Sequence, residues 1–170
     1  GITNPTDFKA ASGMPKMFIG QFSTGTGDDK LNLYLNFQGG KYVEDQRLYQ
    51  GDITASYAIN SQWGLGLNAS YQTRSAKNGD GKWSDGMSWY GAAVYINADP
   101  TDWLGITLRT EYFNNDDGVI NFNATDFPVG TPTTLIVPTL SFNFKISNLT
   151  IIPEFRLDNA NDEIFLKEDG

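Results

Sequence analysis

The sequence predicts an all-β fold, an antiparallel up-and-down transmembrane β-barrel, from three observations. Apolar and polar residues alternate with period two along eight segments. The links between those segments alternate between tight and long, and the apolar face of the alternation carries no charge.

Taken in order, the predicted strands are residues 16–24 (KMFIGQFST), 30–38 (KLNLYLNFQ), 49–59 (YQGDITASYAI), 63–74 (WGLGLNASYQTR), 87–97 (MSWYGAAVYIN), 103–113 (WLGITLRTEYF), 133–145 (TTLIVPTLSFNFK) and 148–158 (NLTIIPEFRLD). In the second, Leu31, Leu33, Leu35 and Phe37 oppose Asn32, Tyr34 and Asn36. In the third, Ile53, Ala55, Tyr57 and Ile59 oppose Asp52, Thr54 and Ser56; in the fourth, Leu65, Leu67, Ala69 and Tyr71 oppose Gly64, Gly66, Asn68, Ser70, Gln72 and Arg74. The sixth sets Leu104, Ile106 and Leu108 against Thr107, Arg109 and Glu111, and the last sets Leu149, Ile151, Phe155 and Leu157 against Glu154 and Arg156. Several reach the roughly 9–11 residues of a tilted bilayer-crossing strand. Pro138 and Pro153 fall inside predicted strands, where each removes a ladder hydrogen bond, and are expected at bulges or strand boundaries.

A soluble barrel or lipocalin-like binder would turn its apolar face inward and cover its polar face with Lys and Glu. Here the polar face is Gly, Asn, Ser and Thr with a few isolated charges, a composition suited to a confined, hydrated interior. Apolar outward to lipid and polar inward accounts for the strand lengths and the charge-free face together, because barrel closure satisfies every backbone group. Asn60-Ser61-Gln62, Asp99-Pro100-Thr101-Asp102 and Ser147 are tight links, while 39–48, 75–86 and 114–132 are expected as long extracellular loops. Trp63 and Trp103 each follow a tight link and so share one rim; with Tyr57, Tyr71, Tyr112 and Phe113 they are expected to form an interfacial aromatic girdle.

Composition narrows the function. A net charge of -8 lacks the basic footprint that phosphate backbones require, so nucleic acid is not an expected partner. The chain has no Cys and no His, which removes disulfides, thiolate and ordinary zinc sites, and Ser-His-Asp or Cys-His catalysis. No metal, no cofactor and no enzymatic activity are expected. Apolar runs are too short for a membrane-spanning helix. The start at Gly1, without Met or signal peptide, suggests a processed or partial chain.

WLGITLRTEYFNNDDGV (103–119) and LTIIPEFRLDNANDEIF (149–165) resemble the OmpL-like type-2 β-barrel porins of Gram-negative, Bacteroidota-type outer membranes. Arg109, Glu111 and Phe113 match an R-x-E-x-F core, and Pro153, Glu154 and Arg156 match a P-E-x-R core. The resemblance covers about a third of the chain and implies an outer-membrane channel for small solutes. The segment Leu166–Gly170 departs from the aromatic terminal strand of such proteins. Eight strands enclose room only for side chains, so the chain is expected to be part of a larger barrel of roughly a dozen or more strands.

Arg109, Glu111, Glu154 and Arg156 are the leading site candidates. If their strands run in the same direction with one strand between, the four side chains share the interior about 10 Å apart. They form either a charged belt that filters solutes or an ion network that fills space. Asp52, Arg74 and Lys145 extend the lining. Asn114-Asn115-Asp116-Asp117-Gly118 lacks EF-hand spacing and is read as a polar turn. Glu111 and Glu154 each have an Arg two residues away that keeps them ionised, which suits neither to general-acid work. The expected function is passive diffusion of small polar solutes through a barrel in outer-membrane lipid. A non-conducting barrel acting as adhesin, homo-oligomer or envelope-complex subunit, and a soluble binding barrel, are the alternatives.

Overall fold

Eleven antiparallel strands form one sheet in the computed structural model, which describes residues 1–5, 15–120 and 132–161; no helix occurs among them. The strands are β1 (Ile2–Thr3), β2 (Met17–Gly25), β3 (Leu31–Val43), β4 (Gln46–Ala58), β5 (Trp63–Ala76), β6 (Met87–Thr101), β7 (Leu104–Asn114), β8 (Thr134–Ile146), β9 (Leu149–Ile151), β10 (Glu154–Arg156) and β11 (Asn159–Ala160). From β1 to β8 each strand pairs with its sequence neighbours, the meander expected of sequential hairpins.

β9, β10 and β11 all pair with β8 in a single register, with Ile151 opposite Phe144, Phe155 opposite Leu140 and Asn159 opposite Ile136. They are one strand interrupted twice. The Phe142 N–H donates to the Pro153 carbonyl and the Leu157 N–H to the Pro138 carbonyl, each at 3.1 Å, but the return bonds would need an N–H that proline lacks. Each proline therefore removes one rung and leaves the register intact: Pro153 falls at the break between β9 and β10, as expected of a strand boundary, whereas Pro138 lies inside β8 without a bulge. Counted this way, the sheet has the eight long segments of the sequence expectation, with β1 as a short addition. It is not closed: among the described residues nothing pairs with the outer side of 149–160, and only β1 covers β2.

At one end the links are tight. The Asn60 side-chain carbonyl accepts the N–H groups of Gln62 and Trp63 at 2.8 and 2.9 Å, closing the β4–β5 turn, and Ser147 takes φ 53° in the β8–β9 turn. At the other end the β5–β6 loop over 77–86 is long, as expected. Of the third expected loop, residues 121–131 lie outside the described residues, as does Leu166–Gly170.

The loop expected at 39–48 is instead a hairpin: β3 runs to Val43 and β4 starts at Gln46, leaving Glu44 and Asp45 as the turn. The pleat continues through this polar stretch because its inner side is packed. Met17 and Leu48, 0% and 1% exposed, flank Gly40, where a Cβ would meet Met17 Cα at 3.1 Å and whose φ of 149° favours glycine. Polarity there marks where the strands leave the apolar band, not where they end.

The two faces differ in coverage as sharply as in chemistry. Met17, Leu48, Ala93 and Val137, the buried hydrophobics among the described residues, all lie on the face that also carries Asp52, Arg109 and Glu111. On the other face Leu35, Leu65, Leu67, Val94, Ile96, Leu108 and Ile136 are 38–52% exposed, with no layer packed on them. Crowding on the polar side and splaying on the apolar side are what a sheet curled around its polar side produces. This is the inverse of a water-soluble sheet, in which the apolar face is the covered one.

Two outcomes are expected from this arrangement. Leu108→Arg, at the centre of the apolar face, lowers folded stability in lipid vesicles by about 2–4 kcal/mol, whereas Thr107→Arg on the inner face costs far less; urea titration of the two variants measures the difference. The second concerns the rim, where the Lys77 ammonium bonds the Asp45 carboxylate at 2.9 Å. That hydrogen bond first, and the Lys77 charge second, hold Asp45 below the usual aspartate range. A lowered folded-state value means the contact stabilises above the ordinary aspartate pKa and is lost as pH falls through the lowered one. Asp45→Asn at neutral pH should mimic the acid state, seen as faster tryptic cleavage in the 77–86 loop.

Candidate functional site on the inner wall

β7 and the strand 149–160 are both antiparallel to β8 and hence parallel to each other, with one strand between them, as the sequence suggested. Arg109, Glu111, Glu154 and Arg156 all point to the inner face. They do not, however, pair across strands. Thr139 lies opposite both Arg109 and Arg156, so the two arginines share one row. Like charges on one row repel, and each guanidinium turns instead to the acid two residues along its own strand. Arg109 Nη2 meets Glu111 Oε1 at 3.1 Å and Arg156 Nη2 meets Asp158 Oδ1 at 2.7 Å.

The result is a basic row and an acidic row, with the acids nearer the long-loop rim. Glu154 stands apart, accepting from the Ser141 hydroxyl at 3.0 Å. Sequence reasoning missed Asp158, although its signal was present: Arg156-Leu157-Asp158 repeats the spacing of Arg109-Thr110-Glu111. Lys145 joins neither row and bonds Asp99 at 2.9 Å near the tight-turn rim. Every one of these cations has its own carboxylate, which leaves Glu154 as the one acid among them without a cation.

The rest of the inner face is an amide ladder that the charge-centred reading passed over. Gln38 and Gln72 both donate to the Gln50 side-chain carbonyl, at 2.9 and 2.8 Å, and the Arg74 Nε donates to the Gln72 carbonyl at 2.7 Å. One row below, Gln21 donates to Asn36 at 2.7 Å and Asn36 to Asp52 at 2.8 Å. Asp52 also accepts from Asn68 at 3.1 Å and Ser70 at 2.8 Å. These bonds exist because cross-strand neighbours on one face stand close enough for amides to bridge. Asp52 and Arg74, named as lining residues for their charge, serve here as the acceptor hub and the end donor of two polar rows.

On the outer face, Trp63 and Trp103 are 48% and 55% exposed at the tight-turn rim, where Trp103 stacks on Phe144 with ring centres 6.3 Å apart. Tyr49, Tyr71, Tyr90 and Tyr112 mark the other limit, with Tyr90 and Tyr112 at 6.1 Å. Trp103, in the turn just before β7, is nine residues from Tyr112 on that strand. At ~3.3 Å per residue and a tilt near 40° that is about 23 Å of height, close to the ~25 Å apolar band of outer-membrane barrels. Phe113, expected in the girdle, belongs to the other face. It alternates with Tyr112, stands opposite Gly91 and Leu135, and sits 5.6 Å from the Trp89 ring on the inner wall.

The Asn114–Gly118 turn is structural. The Asp117 carboxylate accepts the Ser88 N–H and hydroxyl at 2.7 and 3.0 Å, and the Asn115 side chain brackets Ile120, so the turn is stitched to β6 and folded back on itself. Among the described residues no cluster of His, Cys, Asp or Glu could hold a metal ion.

A family model described as "Putative beta-barrel porin-2, OmpL-like" matches residues 1–170. No curated protein and no solved structure matches the chain.

Removing the hub of the polar ladder should be felt as stability. Asp52→Ala leaves the Asn36 and Asn68 amides and the Ser70 hydroxyl without their shared acceptor, and is expected to cost about 1–3 kcal/mol, read from the urea midpoint in detergent micelles.

Proposed function

The chain belongs to the OmpL-like beta-barrel porin-2 family, and on that premise we propose that it forms part of an outer-membrane barrel through which small polar solutes diffuse passively. The observation that carries the proposal is the pairing of an uncovered apolar face with an amide-lined inner wall. The first suits lipid and the second suits water. The sheet's free edges must be satisfied before it can sit in a bilayer, since an unpaired strand edge in hydrocarbon leaves its N–H and C=O groups without partners. Further strands that close the sheet also widen it beyond the filled interior of a small barrel.

The inner wall suits permeation better than catalysis. Glu111 and Asp158 are held by arginines and Glu154 by Ser141, so each of these carboxylates is committed as a hydrogen-bond acceptor. Arg109, Arg156 and Lys145 each have a carboxylate partner, whereas Asp52 and Glu154 are held by neutral donors and only Arg74 offsets them, so the named lining residues keep a small excess of negative charge. The full-length protein reconstituted into planar bilayers should give discrete conductance steps with at most a modest preference for cations. Correctly folded protein that yields no steps contradicts the channel reading and leaves a non-conducting barrel.

A further inference from the structure

The inner wall holds one feature that passive passage of small polar solutes does not call for. In a face of amides and hydroxyls lies an apolar cavity of about 450 Å³, floored by Trp89, Phe113 and Val137 and bordered by Ile120. Trp89 and Phe113 form a tilted pair with their rings 37° apart. Along one side stand hydrogen-bonding groups of several kinds: the Asn68 amide, the Ser70 hydroxyl, the Glu111 carboxylate and the Arg156 guanidinium. Asn68 and Ser70 are also the end of the Asp52 ladder, so the amide row leads to the cavity.

Resting on the channel reading, we propose that this cavity is a subsite for a sugar ring, making neutral saccharides the solute class the wall favours. Three properties converge on that chemistry. An aromatic floor takes a ligand with a flat apolar face, and the C–H face of a pyranose is such a surface. A border of planar amide, carboxylate and guanidinium groups bonds vicinal hydroxyls, which donate and accept at once. Glu111 is already neutralised by Arg109, and Arg156 by Asp158, so the border offers hydrogen bonds without attracting a net charge. A cavity with an apolar lining and a few convergent polar groups is the usual form of a small-molecule site. A linear polyol has the hydroxyls but no rigid apolar face, and it meets only half of the site.

The test uses the full-length protein in planar bilayers with maltotriose as probe and sorbitol as control. Maltotriose should interrupt the current in a concentration-dependent way and sorbitol should not. Trp89→Ala should raise the half-blocking concentration about tenfold, the loss of one stacking contact, while Trp89→Phe, which keeps an aromatic face, should raise it much less. Conductance steps recorded without sugar report whether each variant has folded. Steps without maltotriose block, or block that Trp89→Ala leaves unchanged, overturn the subsite and leave the channel reading standing. If the protein gives no steps, the channel reading fails and the subsite is read separately, from the tryptophan fluorescence of the detergent-solubilised protein. A maltotriose-induced change that disappears in Trp89→Phe supports the subsite, and no change overturns it.

Discussion

A sheet whose apolar face has nothing packed on it is stable only where that face does not meet water, and the rest of this structure follows from that constraint. Leu35, Leu67, Val94, Ile96 and Leu108 are as exposed as ordinary surface residues, yet with Ile53 and Ala55 of β4 they form a continuous charge-free field across five strands. A patch of that extent on a protein in water would drive association. In lipid it meets its own kind, and the demand shifts to the backbone, whose N–H and C=O groups must all find partners within the sheet. The long strands, the sequential pairing and the uniform register of the broken last strand meet that demand. So does the restriction of each proline to the loss of a single rung.

The same constraint sorts the polar residues. With the outer face closed to charge, every Arg, Asp and Glu of the strands' central part has to turn inward, where it meets other polar side chains at strand spacing. Charges there settle locally: Arg109 with Glu111, Arg156 with Asp158, Lys145 with Asp99. Amides bridge the remaining rows from strand to strand. The middle of the inner wall is therefore ordered mainly by hydrogen bonds, with apolar packing at Met17 and Leu48 towards the long-loop rim and an apolar cavity at Trp89 and Phe113.

Much of this was legible in the sequence because period two is a direct image of the pleat. The strand positions, the assignment of Arg109, Glu111, Glu154 and Arg156 to one face and the rim positions of Trp63 and Trp103 follow from alternation and turn length alone. The failures have physical reasons. The polarity around Glu44 and Asp45 suggests a loop, but it marks only the end of the apolar band and the strands run on into a hairpin. Phe113 shares with Tyr112 the strand end that suggests a girdle, but adjacent residues in a strand face opposite ways. Pairing between charges depends on register across strands that a single segment does not encode, so the belt became two separate Arg–acid pairs with Asp158 as the unrecognised member.

The central claim is that the apolar face meets lipid and the polar face water, and the cysteine-free chain makes this directly measurable. Single cysteines introduced along β7 from Leu104 to Tyr112, spin-labelled in the full-length protein in lipid vesicles, report their surroundings through relaxation by dissolved oxygen and by a water-soluble nickel chelate. A strict two-residue alternation is expected, with 104, 106, 108, 110 and 112 open to oxygen and 105, 107, 109 and 111 open to the chelate. Alternation of the opposite phase, or nickel access on both faces, would contradict it.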